Sequence, residues 1–406
     1  MGLTTGFING VTGGDVGVAL VEKSYLIDRY PELADTFKQA GLWIWGKNDF
    51  GQLGDTTLLN KSSPIQTVAA GTNWKQVSAG AGNVAAIKTD GTLWVWGDGS
   101  NGQLGDNTVT PKSSPVQTVA GGTNWKQVSC GDLLTAAIKT DGTLWLWGNN
   151  NAGQSGDNTT STKSSPVQTI SAGTNWKQVA ISYGGTAAIK TDGTLWIWGN
   201  GFYGRIGDNT IVSKSSPVQT IAGGTNWKQA ACGEYHVTAI KTDGTLWSWG
   251  RNDSGQLGDN TIVNKSSPVQ TVAGGSSWSQ ITCGFSCTAA IKTDGTLWSW
   301  GNNSSGNLGD NTVVSRSSPV QTVAGGTNWK QVSCGIDFTT MAIKTDGTLW
   351  LWGINSWGAI GNNSQLPKSS PVQTVAGGTN WKQISSGVSS VAAIRDDSSD
   401  VFGNYV

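Results

Sequence analysis

"AAIKTDGTLWVWG", residues 85–97, sets two runs of strand-forming residues on either side of Asp90-Gly91. A two-residue Asp-Gly connection signals a tight hairpin, because both positions tolerate positive φ. Leu93 and Val95 alternate with Trp94 and Trp96, the period of two that a strand requires. Both sets are apolar, so the strand is expected to be covered on both faces. Downstream, a loop rich in Gly, Asn and Asp leads to PVQTV and then to NWKQVSC, which completes a unit of four strand-like runs.

The unit recurs. L-W-x-W-G returns at Trp43, Trp94, Trp145, Trp196, Trp247, Trp298 and Trp350, spaced by 51 residues five times and then by 52. The prolines of S-S-P-[VI]-Q-T keep step from Pro64 to Pro371, as do the tryptophans of the last strand from Trp74 to Trp381. A period this long, with neither heptads nor helical spacing, predicts propeller blades rather than a helical solenoid. The array opens at Leu42-Trp43 with no AAIKTDG before it and ends at VAAIRDDSSD with no full L-W-x-W-G after it. It begins on one half of a hairpin and stops on the other. Pairing of residues 391–395 with residues 42–45 would close the ring and remove the exposed edges. The expectation is an all-β chain: a closed seven-bladed β-propeller over residues 41–406, with a short N-terminal extension, residues 1–40.

Composition agrees with such a fold. The 406 residues include 58 Gly and 22 Trp, only 13% are charged, and the formal net charge is zero. Disordered chains are poor in aromatics, and a nucleic-acid binder carries a basic excess that is absent here. No segment approaches the ~20 apolar residues of a membrane span. The start, MGLTTGFINGVTGGD, lacks the basic end and apolar run of a secretory signal, which points to production in a cytoplasm.

The D-G-T-L-W-x-W-G strand, the N-x-x-G-Q-L-G-D loop (Asn48–Asp55, Asn252–Asp259), the proline strand and the closing C-G-x-x-x-T-A-A-I resemble the regulator of chromosome condensation repeat family. That resemblance implies a seven-bladed propeller. It also suggests a nucleotide-exchange role toward a small GTPase and contact with chromatin, but the basic character suited to chromatin is missing. A light-sensing branch of the family uses tryptophan clusters with a G-W-R-H-T signature, and that signature is missing as well. With five arginines and one histidine, so are the charge pairs that hold such a dimer. The near-identity of the copies is most similar to bacterial and phage arrays.

In an up-and-down blade, the loop after L-W-x-W-G and the loop after N-W-K-Q-V emerge on one face. Those loops differ from copy to copy, whereas KTDGT and AGGTNW on the opposite face scarcely change. Phe50, Tyr183, Phe202, Tyr203, Tyr235, His236, Phe285, Phe338 and Trp357 all fall in the variable loops and form the candidate recognition face. Binding residues collect on loops held by a rigid scaffold, and aromatics with Asn, Asp and Gly suit a carbohydrate or a protein surface.

Other signals are expected to be structural. Gly97-x-Gly99-x-x-Gly102 and Gly199-x-Gly201-x-x-Gly204 match a dinucleotide fingerprint, but a proline strand follows where that motif requires a helix. The repeated cysteines read as small buried apolar groups, and the Asp residues of TDG and GDN as turn formers. No catalytic constellation, metal site or cofactor site is expected.

Residues 19–41, ALVEKSYLIDRYPELADTFKQAG, resemble nothing else in the chain. Val18–Leu26 fits a strand or the start of a helix. Asp28 and Pro31 then suit the cap and first turn of a short helix. A helix of about ten residues does not stand alone in water, so Tyr25, Leu26, Tyr30, Leu33 and Phe37 form a candidate docking segment, toward a larger assembly or a second copy. The leader weakly resembles those of phage virion proteins. The leading expectation is accordingly a non-enzymatic virion component, made in the host cytoplasm, whose leader docks to other virion proteins. Its propeller would meet a host surface glycan or protein. The alternatives are a free cytoplasmic protein-interaction propeller and a lectin. Neither nucleic acid nor membrane insertion is expected.

Overall fold

A computed structural model describes residues 40–68, 73–170, 173–272 and 275–396. The strands run from β1 (Ala40–Gly46) and β2 (Lys61–Gln66) to β27 (Trp381–Ser386) and β28 (Ser390–Asp396), in seven four-stranded antiparallel sheets. Each sheet is a blade of a β-propeller. Blades 1 to 6 begin at Trp74, Trp125, Trp176, Trp227, Trp278 and Trp329, each on the strand nearest the central channel, which reads N-W-K-Q except at S-W-S-Q in blade 5. Blade 1 is representative: β3 (Trp74–Ala79), β4 (Asn83–Lys88), β5 (Leu93–Gly97) and β6 (Lys112–Gln117) lie side by side in that order. Blade 7 has the order β2-β1-β28-β27, with Leu42 opposite Ile394 and Trp45 opposite Val391. The leader, with Tyr25, Leu26, Tyr30, Leu33 and Phe37, lies outside the described residues.

The period of two now has its physical meaning. Leu93 and Val95, with Ala85 and Ile87, pack on Trp125, Val128 and Trp147 of blade 2. Trp96 and Ala86 of the same two strands face the other way, toward Leu42, Ile44 and Ile394 of blade 7. The apolar interior is thus divided into clusters that each straddle two neighbouring blades. Burying one tryptophan in such a cluster contributes on the order of 4 kcal/mol by area.

The repeated polar residues explain themselves through hydrogen bonds between blades. The second tryptophan of L-W-x-W-G is buried in every blade and donates its indole N–H to the G-Q-L-G loop of the preceding one, as Trp96 does to Gln52 O (2.9 Å) and Trp45 to Ala359 O (2.8 Å). The loop must therefore approach the ring closely: a Cβ on Gly105 (φ +65°) would lie 2.6 Å from Trp147 Nε1. Further along the same loop, Asn107 N donates to Ser164 O on the outer strand of the next blade (2.9 Å). That contact covers part of an edge which would otherwise invite pairing. Nearest the channel, Gln127 clasps the next inner strand in both directions, with Nε2 to Val179 O at 3.0 Å and Val179 N to Oε1 at 3.1 Å. Equivalent clamps join Gln76 to Val128, Gln178 to Ala230 and Gln229 to Ile281, and Gln383 to Val77 across the junction of the chain ends.

The hairpin differs from the sequence expectation in one respect. Only Gly91 has positive φ (+80°), and the connection spans Thr89–Thr92, with Gly91 N bonded to Lys88 O (3.0 Å) and Lys88 N to Thr92 O (3.0 Å). Asp90 is held instead by its side chain. Its Oδ1 accepts from Thr92 N (2.9 Å) and Thr92 Oγ1 (2.7 Å), and that hydroxyl accepts from Trp94 Nε1 (3.0 Å). Positive φ accounts for the Gly of D-G-T-L-W, and a hydrogen-bonded chain accounts for its Asp, Thr and Trp. Gly199-x-Gly201-x-x-Gly204 leads into a single 3-10 turn, Phe202–Gly204, and from there to the proline strand.

Candidate functional site

Once the repeated residues are assigned to the scaffold, what remains is the residues by which the copies differ. The largest departure lies in the blade 3 loop that follows β13 (Leu195–Gly199). Most copies carry a buried Asn two residues after W-G that fastens this loop; Asn252 Nδ2, for example, reaches Asp259 Oδ1 (3.0 Å) and Thr261 O (3.1 Å). In blade 3 that position is Gly201, as it is Gly99 in blade 1, and the Gln of G-Q-L-G is Arg205. The segment between them makes a 3-10 turn, with Tyr203 at φ +61°. A left-handed tyrosine costs roughly 1–2 kcal/mol, and Arg205 supplies the compensating bonds.

Arg205 is fully buried. Its Nη1 donates to Tyr183 O (2.7 Å) and to Glu234 O, and its Nη2 to Ser182 Oγ (3.2 Å) and Gly233 O (3.4 Å). One guanidinium thus ties the loop after β11 (Trp176–Ser182) in blade 3 to the loop after β15 (Trp227–Cys232) in blade 4. These loops carry Tyr183 and Tyr235, whose rings meet at 5.8 Å, and Tyr203 joins Tyr235 at 5.3 Å. Arg251 lies over Tyr203 (5.5 Å) and Tyr235 (5.9 Å) and pairs with Asp253 (2.7 Å) and Glu234 (3.6 Å).

Two carboxylates flank the buried cation. Burial pushes Asp132 up to about 6 while Arg205 pulls it back, and its Oδ1 has no hydrogen-bond partner. Burial likewise pushes Glu234 up to about 7, against the pull of Arg251. A carboxyl raised in the folded state carries no penalty below its unfolded value, and loses stability as pH rises toward its folded value. Asp132→Asn is therefore expected to be more stable than the parent at pH 8 by about 2–3 kcal/mol. The gain should shrink to a small fraction near pH 4, as read by urea denaturation at both pH values. A gain independent of pH would refute the buried charge.

Two hollows border the cluster. One of about 190 Å³ is lined by Asp132, Asn149, Asn200 and Tyr183 among others, and one of about 560 Å³ lies between Phe202, Tyr203, Ile211, Asn264 and Ser266. Among the described residues, no group of three or more His, Cys, Asp or Glu is placed to hold a metal ion.

The nine sequence-chosen residues do not form one patch. Tyr183, Tyr203 and Tyr235 come together on blades 3 and 4, with Phe202 exposed beside them. Half-buried Phe285 and Phe338 pair at 5.7 Å. Trp357 is exposed under Lys47 (5.6 Å), and exposed Phe50 rests against Gly82. His236 is a correction: it is completely buried as the first residue of β16 (His236–Lys241), where Nε2 meets Thr288 Oγ1 of the next blade at 3.0 Å. Burial, with Arg205 and Arg251 adding to it, pushes the imidazole down to about 3, so His236 is a neutral packing group. Sequence reasoning missed Arg205, Asp132, Glu234 and Arg251. Arg205 had a visible signal, since it puts a charge at a position that is Gln, Asn or Ala in the other copies.

A family model described as RCC1-like domain matches residues 41–393. The chain belongs to the RCC1-like domain family. This RCC1-like chain is 32% identical over 335 residues to the ultraviolet-B receptor UVR8 of Arabidopsis thaliana, covering 80% of the chain and 76% of the receptor. It is 28% identical over 350 residues to the human E3 ubiquitin-protein ligase HERC2, covering 81% of the chain but only 7% of the ligase. Among solved structures, human WBSCR16 superposes with a TM-score of 0.78 at 20% identity, over 88% of this chain and 99% of that one. Yeast RCC1 (Prp20), solved with Kap60 bound, superposes with a TM-score of 0.77 at 18% identity, over 89% and 91%. At these identities the two structures speak for the RCC1-like fold.

Proposed function

We propose that the protein is a non-enzymatic, protein-binding propeller whose partner docks on the variable face over blades 3 and 4. The observation that carries this reading is the Tyr183–Tyr203–Tyr235 cluster with Arg251, built where Gly201 and Arg205 break the repeat. Tyrosine and arginine are among the residue types that dominate binding energy at protein interfaces. Arg205 fixes the two loops beforehand, so less ordering is left for the moment of binding. The hollow beside Phe202 and Tyr203 is large enough to take an apolar side chain of the partner.

The relatives support an interaction module over a virion component. Yeast RCC1 was solved with Kap60, and a second study of Prp20p describes its binding to Gsp1p and histones. Carbohydrate binding is a second reading, favoured by the smaller hollow, which Tyr183, Asn149, Asn151, Asn200 and Asp132 help to line.

A photoreactive benzoylphenylalanine at position 203 is expected to crosslink one discrete protein in the source cells, whereas the same group at position 313, on the outer rim, is not. The identified partner should then bind the Tyr203→Ala/Tyr235→Ala variant about a hundredfold more weakly. Equal affinity for parent and variant would remove this face from the interaction. A soluble oligosaccharide that displaces the partner would favour the second reading.

A further inference from the structure

The opposite face carries a feature that the protein-binding reading leaves unused. Six of the seven inner strands open Trp-Lys-Gln: the tryptophan is buried and the lysine exposed, and Gln127, Gln178 and Gln229 are committed to their clamps. Lys75, Lys126, Lys177, Lys228, Lys330 and Lys382 occupy this place in turn, and Ser279 holds it in blade 5. Each lysine lies at a break in the ladder. Trp125 pairs with Lys139 and Gln127 with Ile138, which leaves Lys126 outside the register. Successive inner strands are neighbours around the channel. Lys126, Lys177 and Lys228, with Gln127, Gln178 and Gln229, accordingly surround one open depression of about 500 Å³.

The rest of the molecule shows how its other cations are handled. On the outer strands Lys61, Lys112, Lys163, Lys214 and Lys265 each face an Asp at 3.2–3.8 Å. On the second strands Lys88, Lys139, Lys190, Lys241, Lys292 and Lys344 are each held between two tryptophan rings, 4.5–5.0 Å from the ring centres. The hairpin carboxylates on this face are turned to their own loops, as Asp141 Oδ1 is to Thr143 N (2.9 Å) and Oγ1 (2.7 Å). Among the described residues, the only inner-strand lysine with a carboxylate within reach is Lys382, 3.9 Å from Asp396. Lys126, Lys177 and Lys228, which converge on the channel mouth, have no carboxylate partner among the described residues.

We infer that this mouth binds a compact anion bearing several phosphate groups. Like charges brought together around a concave surface repel one another until an anion sits among them, and a low-dielectric wall strengthens the field there. A lysine ammonium is a compact charge with three donors, suited to a phosphate oxygen without any fixed planar geometry. The floor is rigid because the glutamine amides are already bonded to backbone carbonyls of the adjacent blade. A single small anion meets one or two ammonium groups, whereas a molecule with several phosphates spans three neighbouring blades. An extended nucleic-acid duplex is too broad to enter and would rest on the rim.

The test uses the full chain and inorganic tripolyphosphate, titrated calorimetrically at low and at physiological ionic strength. One-to-one saturable binding is expected, and it should weaken by about tenfold or more in Lys126→Gln/Lys177→Gln/Lys228→Gln. The matched outer-strand variant Lys112→Gln/Lys163→Gln/Lys214→Gln, of equal net charge, should bind like the parent. Ser279→Lys completes the ring and should tighten binding. Thermal melts show whether each variant remains folded. Absence of saturable binding at low ionic strength overturns the inference, as does equal weakening in the two triple variants. Tight binding of a DNA duplex that tripolyphosphate does not compete away also overturns it.

Discussion

An alanine in place of Trp147 is expected to lower the stability of the ring by on the order of 4 kcal/mol, within the range for deleting a large buried aromatic. Trp147 is completely buried, meets Trp125 edge-on at 6.2 Å and donates its indole N–H to Gln103 O at 2.9 Å. Its loss would open a cavity between blades 1 and 2 and remove one of the two donors to that carbonyl, which keeps Thr135 Oγ1 at 2.8 Å. Trp145 makes a useful contrast. It is half-buried, bonds Thr143 Oγ1 at 2.9 Å and lies under Lys139 at 4.8 Å, so Trp145→Ala should cost only about 1–2 kcal/mol. Urea denaturation of both variants checks the ordering. Equal losses would contradict the division of labour between the two tryptophans.

The second large effect concerns closure. Ending the chain after Ser389 removes β28, which pairs with β1 from Ala40–Asp396 to Gly46–Ser390 on one side and with β27 on the other. Blade 7 would be split, and two strands would present unpaired backbone to solvent. Exposed edges of that kind promote association between chains. The truncated protein is expected to leave the parent's elution position in size-exclusion chromatography for aggregates and to lose its cooperative melt. Unchanged elution with the parent's melting temperature would show that the other blades hold the ring closed by themselves.

Both expectations rest on features that can be read along the chain. The repeat period, the alternation of Leu93 and Val95 with Trp94 and Trp96, and the split hairpin at the two ends are local patterns, and backbone geometry converts them into strands. The same local reading misjudged the turn at Asp90-Gly91, because it assigned to backbone φ what the Asp90–Thr92–Trp94 hydrogen bonds do. It also placed His236 among the loop residues, although one position further along the strand turns a side chain from solvent into the space between blades.

What the sequence determined by itself is therefore the architecture: strand identity, blade number and the faces on which the constant and the variable loops of the repeat emerge. Each of these depends on residues close together in the chain or on exact repetition. What only the tertiary structure decided is which exceptions to the repeat meet. Tyr183, Tyr203 and Tyr235 belong to separate loops of two blades, and Arg205 bonds to carbonyls 22 to 29 residues away from it. Asp132 and Glu234 acquire their raised pKa values from burial around that guanidinium. The reason is physical: a repeat pattern specifies how each blade folds, but distances between side chains of different blades are set by the curvature of the closed ring, and no local pattern encodes that curvature.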